Sequence, residues 1–164
     1  MTRVELVMGM PVAIDVRDED ADPDAVDQAF EWLRFVDATF AFSAHCNRVS
    51  VRDGHTETVS LTLRGAPSPD AVKSAMRDFR GRPQELKLPT APEHPIHVRD
   101  GRDRPQPILD RDTERGMAAV VGRVREDPAM GIKYVVLTHN TIRGAAGASI
   151  LNAELLAAEG CLGN

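Results

Sequence analysis

Aromatic residues are scarce in this sequence: one Trp, one Tyr and five Phe, 4 % of its 164 residues. A surface that stacks nucleobases draws on more of them. A net charge of −5 at pH 7 leaves no strongly basic face for a phosphate backbone, so DNA and RNA are excluded as main partners. No apolar run approaches the ~20 residues that a membrane span requires. The opening Met1-Thr2-Arg3-Val4-Glu5-Leu6 lacks the apolar stretch of a signal peptide. Two cysteines, Cys46 and Cys161, are too few for a disulfide framework. These absences predict a cytoplasmic protein with reduced thiols. A G-x-G-x-x-G dinucleotide loop is also missing. What is present is 42 % apolar residues, enough for a packed core and against disorder throughout.

Two patterns divide the chain. In the first, residues 4–8 and 11–16 read as strands around Met8-Gly9-Met10. Asp22 stands as an N-cap and Pro23 as the first helical residue. Val26, Phe30, Leu33 and Phe40 then recur at helical spacing, with Trp32 and Phe35 flanking the stripe as core or interface residues. The second pattern begins near Ser43. Residues 45–51 read as a strand, Asp53-Gly54 as a tight turn, and the alternating Val59, Leu61 and Leu63 as a half-buried strand. Pro67-Ser68-Pro69-Asp70 starts a helix carrying Val72, Ala75, Met76 and Phe79. Residues 81–112, rich in Pro, Arg and Asp, read as an irregular crossing; long loops of this kind usually have a function. Strands over 117–124 and 132–138 and a helix from 142 to a C-cap at Gly160 complete the pattern.

The densest chemistry lies between Cys46 and Glu57. With Asp53-Gly54 as a two-residue hairpin loop, Arg52 and His55 become cross-strand neighbours on one face. Period two adds Arg48 to that face, ~13 Å back along the strand. An arginine fork suits a carboxylate, and a histidine can move protons near neutrality. The plain alternative is a solvated strand face, which spacing alone favours. A second constellation, His139-Asn140-Thr141-Ile142-Arg143-Gly144-Ala145-Ala146-Gly147, ends a strand and opens a helix with small residues. Close approach of a ligand to the backbone and close packing of helix on sheet both fit it, and spacing favours packing. His94 and His97 lack a nearby third ligand for zinc. His45 and Cys46 point to opposite strand faces, and Cys46 is expected as a small buried hydrophobe. The alternating Arg and Asp residues from Arg99 to Arg115 read as a solvated or subunit-contact loop.

Together the residues define a resemblance. Ser43-Ala44-His45-Cys46-Asn47-Arg48-Val49 and Asp53-Gly54-His55-Thr56-Glu57 resemble the substrate-site stretch of aspartate-semialdehyde dehydrogenases. Arg80-Gly81-Arg82-Pro83-Gln84-Glu85-Leu86-Lys87-Leu88-Pro89, Asp103-Arg104-Pro105-Gln106-Pro107, the stretch from Val121 to Pro128 and that from His139 to Gly147 resemble the archaeal-type branch. The match runs in order over about residues 43–159. It implies an α+β fold, the C-terminal substrate-binding and dimerisation domain shared with glyceraldehyde-phosphate dehydrogenases: a mixed sheet covered by helices, with no Rossmann domain. It implies NADPH-dependent reduction of aspartyl 4-phosphate to aspartate 4-semialdehyde, on the route to lysine, threonine and methionine. By resemblance Arg48 clamps the substrate carboxylate and His55 is the acid/base. Asn140, Thr141, Gly144 and Ala145 fall in the segment that returns to the NADP nicotinamide, and no metal is implied.

Departures from the family pattern are as informative. The Asn-Cys motif of the family's nucleophile does not occur in these residues, and Cys46 matches a position without a catalytic role. The expectation is a family fragment inactive by itself, working with a small-molecule substrate as a homodimer or higher oligomer through its sheet, and with a separate Rossmann-bearing chain for turnover. A non-enzymatic dimerisation or interaction module is the alternative. Residues 1–42, through Met8-Gly9-Met10-Pro11 and Phe30-Glu31-Trp32-Leu33-Arg34-Phe35, resemble the start of FAD:protein FMN transferases. A truncated flavin transferase is therefore a third reading, and the expected division is a β-β-α segment over 1–42 and the dehydrogenase domain over 43–164.

Overall fold

The computed structural model describes residues 2–7, 10–17, 23–39, 42–47 and 49–161, and the chain forms two compact units, 1–41 and 42–164. In the first unit, β1 (Thr2–Val7) and β2 (Met10–Asp15) pair antiparallel, with Glu5 opposite Val12 and Arg3 opposite Ile14. Alternation sends Val7, Val12 and Ile14 to one side, where Val26, Phe30 and Leu33 of α1 (Pro23–Thr39) close a small core. The guanidinium of Arg3 lies 5.3 Å from the Phe30 ring centroid and pairs with Glu5 and Asp27. Trp32 and Phe35 stack on each other, 5.4 Å apart, and are exposed, so they lie outside this unit's core. The expected N-cap Asp22 and the Met8-Gly9 link lie outside the described residues.

The second unit is built on a five-stranded sheet in the order β3-β4-β7-β6-β5. Its strands are β3 (Phe42–Asn47), β4 (His55–Leu61), β5 (Ile96–Arg99), β6 (Ala119–Asp127) and β7 (Gly131–Thr138). Neighbours are antiparallel except β5, which runs parallel to β6 and makes the sheet mixed. Helix α2 (Pro69–Asp78) covers one face. Its start matches its sequence: Ser68 accepts a hydrogen bond from the Ala71 N–H at 3.2 Å, and Pro69 occupies the first turn, where no N–H partner is needed. Val72 and Met76, four apart, pack with Leu61, Val121, Val124, Ile132, Tyr134 and Val136. A second cluster joins Leu88, Met117 and Leu151, the last on α5 (Gly147–Ala158), with Ile142 and Leu155. Among the described residues no helix is long and apolar enough to cross a membrane.

Three expectations need correction. The strand expected over 45–51 is β3, ending at Asn47. The last pair of the β3–β4 ladder is Asn47 with Thr56, and residues 49–54 form no strand. The crossing over 81–112 is more ordered than its composition suggests. It contains the one-turn helices α3 (Arg82–Glu85) and α4 (Pro107–Asp110) and the whole of β5. The helix expected from 142 opens with a π-helical turn (Ile142–Ala146), and α5 proper starts at Gly147. Gly160, at φ +73°, follows the end of α5 as a left-handed C-terminal glycine does.

The crossing is fastened at Asp110. This carboxylate is wholly buried. It accepts from Arg99 Nε at 3.2 Å, Arg104 Nε at 2.7 Å, a terminal Arg104 nitrogen, and the Gln106 backbone N–H at 2.7 Å. Arg99 and Arg104 are thus not the solvated charges that their alternation with Asp suggested. Burial alone would raise the Asp110 pKa, but the Arg104 and Gln106 hydrogen bonds and the nearby guanidinium charges outweigh it, and the net direction is downward. A depressed carboxylate pKa stabilises the fold above the ordinary carboxylate range, and that contribution is lost as pH falls through the folded-state value. Asp110→Asn keeps the shape and removes the charge that two arginines face. It should lower unfolding free energy by about 2–3 kcal/mol near neutrality, and the difference from wild type should shrink as pH drops below about 4. Urea denaturation across that pH range measures both; a pH-independent difference would contradict the assigned charge state.

Candidate functional site

Strand register decides which of the candidate residues meet. In the β3–β4 pair, Cys46 lies opposite Glu57 and His45 opposite Thr58. Side chains alternate, so Cys46, His55 and Glu57 share the face that α2 covers further along, and His45 and Asn47 take the other. The link between the strands runs over 48–54, so Asp53-Gly54 is its last part and not a two-residue hairpin loop. Arg52, exposed in this link, is therefore not the cross-strand neighbour of His55. Arg48 lies outside the described residues.

The link is fixed at its far end. The Gly54 N–H donates to Asn140 Oδ1 at 2.7 Å. Gly54 has φ +121°, and a Cβ there would stand 3.1 Å from Pro107 Cβ and 3.2 Å from Leu137 Cδ1. Both the backbone angle and the space demand glycine. The two constellations picked out in the sequence thus meet at one place: the turn before His55 and the start of the 139–147 segment.

His55 opens β4 opposite Thr138 and is exposed. Its Nε2 lies 2.9 Å from Glu57 Oε1. The Cys46 thiol donates weakly to the same oxygen at 3.7 Å. Cys46 is exposed, which corrects the expectation of a buried hydrophobe; β3 is an edge strand, and nothing described packs over its outer end. The negative charge of Glu57 raises the Cys46 pKa, with burial and the thiol–carboxylate contact acting the same way. A raised thiol pKa disfavours the thiolate at neutral pH. Burial, with a smaller contribution from Glu57, also raises the Tyr134 phenol. Glu57 is the residue that sequence spacing passed over. It was legible in Thr56-Glu57, but its role emerges only when register sets it against Cys46.

The 139–147 segment is held mainly by itself. The π-helical turn is closed by Gly144 N–H to His139 O and Ala146 N–H to Thr141 O, each 3.0 Å. His139 is buried, and its Nδ1 accepts from the Ile142 N–H at 3.4 Å and faces the Thr141 hydroxyl at 3.3 Å. That acceptor role puts the ring proton on Nε2, which faces Asp112 at 3.9 Å. Gly147 has no room for a Cβ against the Met117 sulfur, and Ile142 crowds it as well. Asn140, Thr141, Gly144 and Ala145 are exposed, with Asn140 Oδ1 committed to Gly54. His94 and His97 meet edge to face at 5.8 Å, and His97 Nε2 lies 3.2 Å from Glu114 Oε1.

A mixed five-stranded sheet with helices over it describes an α+β domain. The family described as "Semialdehyde dehydrogenase, dimerisation domain" matches residues 31–143, and the chain belongs to that family. It is 56 % identical over 121 residues to the aspartate-semialdehyde dehydrogenase of Methanothermobacter thermautotrophicus, covering 73 % of this chain and 35 % of that protein. Its identity to the enzyme of the same name from Candida albicans is 49 % over 131 residues, covering 79 % and 36 %. The crystal structure of the Candida albicans enzyme with NADP superposes with a TM-score of 0.64 at 50 % identity, over 70 % of this chain and 33 % of that one. Aspartate semialdehyde dehydrogenase II from Vibrio cholerae gives 0.54 at 26 % identity, over 68 % and 29 %. The chain therefore spans about a third of the length of the curated relatives it matches.

Asn140→Ala removes the acceptor of the Gly54 N–H and frees the link ahead of His55. The expected result is a loss of about 1 kcal/mol of stability and faster hydrogen exchange confined to residues 53–55 and 139–141, read by NMR. Uniform acceleration across the sheet would show that the bond has no local positioning role.

Proposed function

We propose that this chain is the substrate-binding and dimerisation portion of an aspartate-semialdehyde dehydrogenase of the archaeal-type branch. Its residues handle the semialdehyde or acyl phosphate end of the reaction, and a nucleotide-binding chain completes the site. The observation that carries the reading is the exposed His55 beside Glu57 at the end of β4, inside the range that matches the family. In the overall reaction the acyl phosphate gains a hydride and a proton, leaves as aspartate 4-semialdehyde, and releases inorganic phosphate and NADP. Within it, Arg48 would hold the substrate's α-carboxylate through a bidentate fork, and His55 would pass a proton at Nε2. The 164 residues contain no Asn-Cys pair and no dinucleotide loop, so the nucleophile and the Rossmann fold would come from outside them, with Asn140, Thr141, Gly144 and Ala145 meeting the nicotinamide end of NADP.

The alternative reading is a dimerisation module without catalysis. β3 forms an outer edge of the sheet, with Cys46 and Asn47 exposed at its end. An uncovered edge invites pairing with a second copy. Residues 1–42 would on either reading be the start of a flavin transferase joined to this domain; transfer of FMN to an acceptor protein is not expected from them.

Purified chain should show no NADP-dependent oxidation of aspartate semialdehyde in the presence of phosphate; turnover by this chain alone would overturn the division of labour. A dicarboxylic or amino-acid analogue should still bind weakly, in the millimolar range. Charge-assisted Arg–carboxylate bonds contribute about 1.5–3 kcal/mol, and an open pocket lies toward the lower end. Arg48→Lys should weaken this binding several-fold, and His55→Asn should alter it less, by calorimetric or NMR titration. Equal binding by wild type and Arg48→Lys, or none at millimolar analogue with an oligomer present by light scattering, would favour the module.

A further inference from the structure

Three donors of different chemistry converge where the link joins β3 to β4. Cys46 Sγ, a ring nitrogen of His55 and a carboxylate oxygen of Glu57 all lie within 4.8 Å of one another, and His55 Nε2 is 2.9 Å from Glu57 Oε1. The backbone produces this grouping. Cys46 and Glu57 are direct cross-strand partners, and His55 is two residues before Glu57 on the same face. Among the described residues this is the cluster of three or more His, Cys, Asp and Glu side chains close enough to share an ion. It is compositionally unlike an acidic surface patch: each donor is of a different kind, one soft, one intermediate and one hard. We propose that Cys46, His55 and Glu57 form a three-ligand site for a zinc-class divalent ion, with a fourth position open to solvent.

The distances are close to those that coordination requires. Zinc takes thiolate at ~2.3 Å and imidazole or carboxylate at ~2.0–2.1 Å. Tetrahedral angles then separate the donor atoms by about 3.3–3.6 Å. The His55–Glu57 separation is 2.9 Å and the Cys46–Glu57 separation 3.7 Å, so each needs only a few tenths of an ångström. Cys46 and His55 are exposed and Glu57 half-exposed, so rotamer shifts can close the remaining gap without moving the sheet. The donor set selects the ion: thiolate plus imidazole favours zinc, cobalt or nickel over magnesium and calcium, which take oxygen. The same carboxylate that now discourages thiolate formation would share the cation with it. Binding releases the thiol proton to solvent and forms Sγ–metal, Nε2–metal and O–metal bonds; no electron is transferred. The site would engage the Nε2 of His55 and so exclude its use as a proton carrier while the ion is bound. This inference stands on the three side chains and not on the dehydrogenase reading.

Cobalt(II) titration of the reduced full-length chain tests it. The expected result is one equivalent bound, with a thiolate-to-cobalt charge-transfer band in the near ultraviolet and the intense visible bands of tetrahedral cobalt. Zinc should displace the cobalt and abolish both. Cys46→Ser should abolish the charge-transfer band, and His55→Asn and Glu57→Gln should each weaken binding at least tenfold. Cys161→Ser should change nothing. Circular dichroism of each variant establishes that it is folded, and zinc affinity by competition with a chromogenic chelator gives a second reading. A charge-transfer band that persists in Cys46→Ser, one that vanishes in Cys161→Ser, octahedral spectra, or zinc affinity equal in wild type and His55→Asn would each overturn the site.

Discussion

The buried carboxylate of Asp110 is the constraint on which the geometry of this domain rests. It gathers Arg99 from the edge strand, Arg104 from the crossing and the Gln106 backbone onto one group. The crossing can descend to that point only because Gly122 of β6 presents no side chain to the Arg104 carbonyl, with which a Cβ would collide. Once the crossing is down, Pro107 opens α4 in contact range of Gly54 and, through Gly54, of Leu137. A charge cluster at one side of the sheet thereby reaches the turn that delivers His55. Two arginines and one carboxylate would contribute little if all were exposed. Full burial of the acceptor, with the arginines only partly covered, makes the cluster directional and expensive to break.

From that turn onward, register is the deciding variable. A one-residue slip between β3 and β4 would send Cys46 to the opposite face and set His45 or Asn47 across from Glu57 in its place. The pairing of β4 with β7 guards against this. It sets Leu61 against Ile132 and Val59 against Tyr134; Leu61, Ile132 and Tyr134 enter the core under α2, and Val59 is buried. The apolar half of β4 therefore locks the polar half. The chemistry at His55 and Glu57 is held by hydrophobic packing several residues away, which is why an exposed pair at a strand end can have a defined geometry.

Much of this was legible in the sequence. The alternation from Thr58 to Leu63, the Ser68-Pro69 helix start and the paired closing strands correspond to elements set by local chemistry. Short motifs also sufficed to identify the family, because the quoted stretches are contiguous. The missed features depend on distant partners. β5 is four residues long and flanked by Pro, Arg and Asp; only its parallel pairing with β6 makes it a strand. Asp53-Gly54 has the composition of a tight hairpin, yet Gly54 is claimed by Asn140, 86 residues later, and the link stays open. Cys46 was expected inside because cysteines are usually buried; an edge position overrides that tendency. Spacing could find the residues of the candidate site but not their partners, since partnership was settled by register and by the crossing.

The arrangement at β4 leaves His55 with a choice that its neighbours define. Its Nε2 faces Glu57, and on the two proposals the exposed ring would turn to a substrate or to an ion. Only one of these can occupy that nitrogen at a time. Glu57 takes part in two of the three states, as hydrogen-bond partner of the ring and as co-ligand, while Cys46 matters in only one. Loss of Glu57 would therefore affect both proton handling and ion binding, and loss of Cys46 only the latter. That asymmetry follows from strand geometry: Glu57, two positions along the same strand, stands 2.9 Å from His55, whereas Cys46, across the ladder, touches the Glu57 carboxylate at 3.7 Å and would join His55 only through a shared ion.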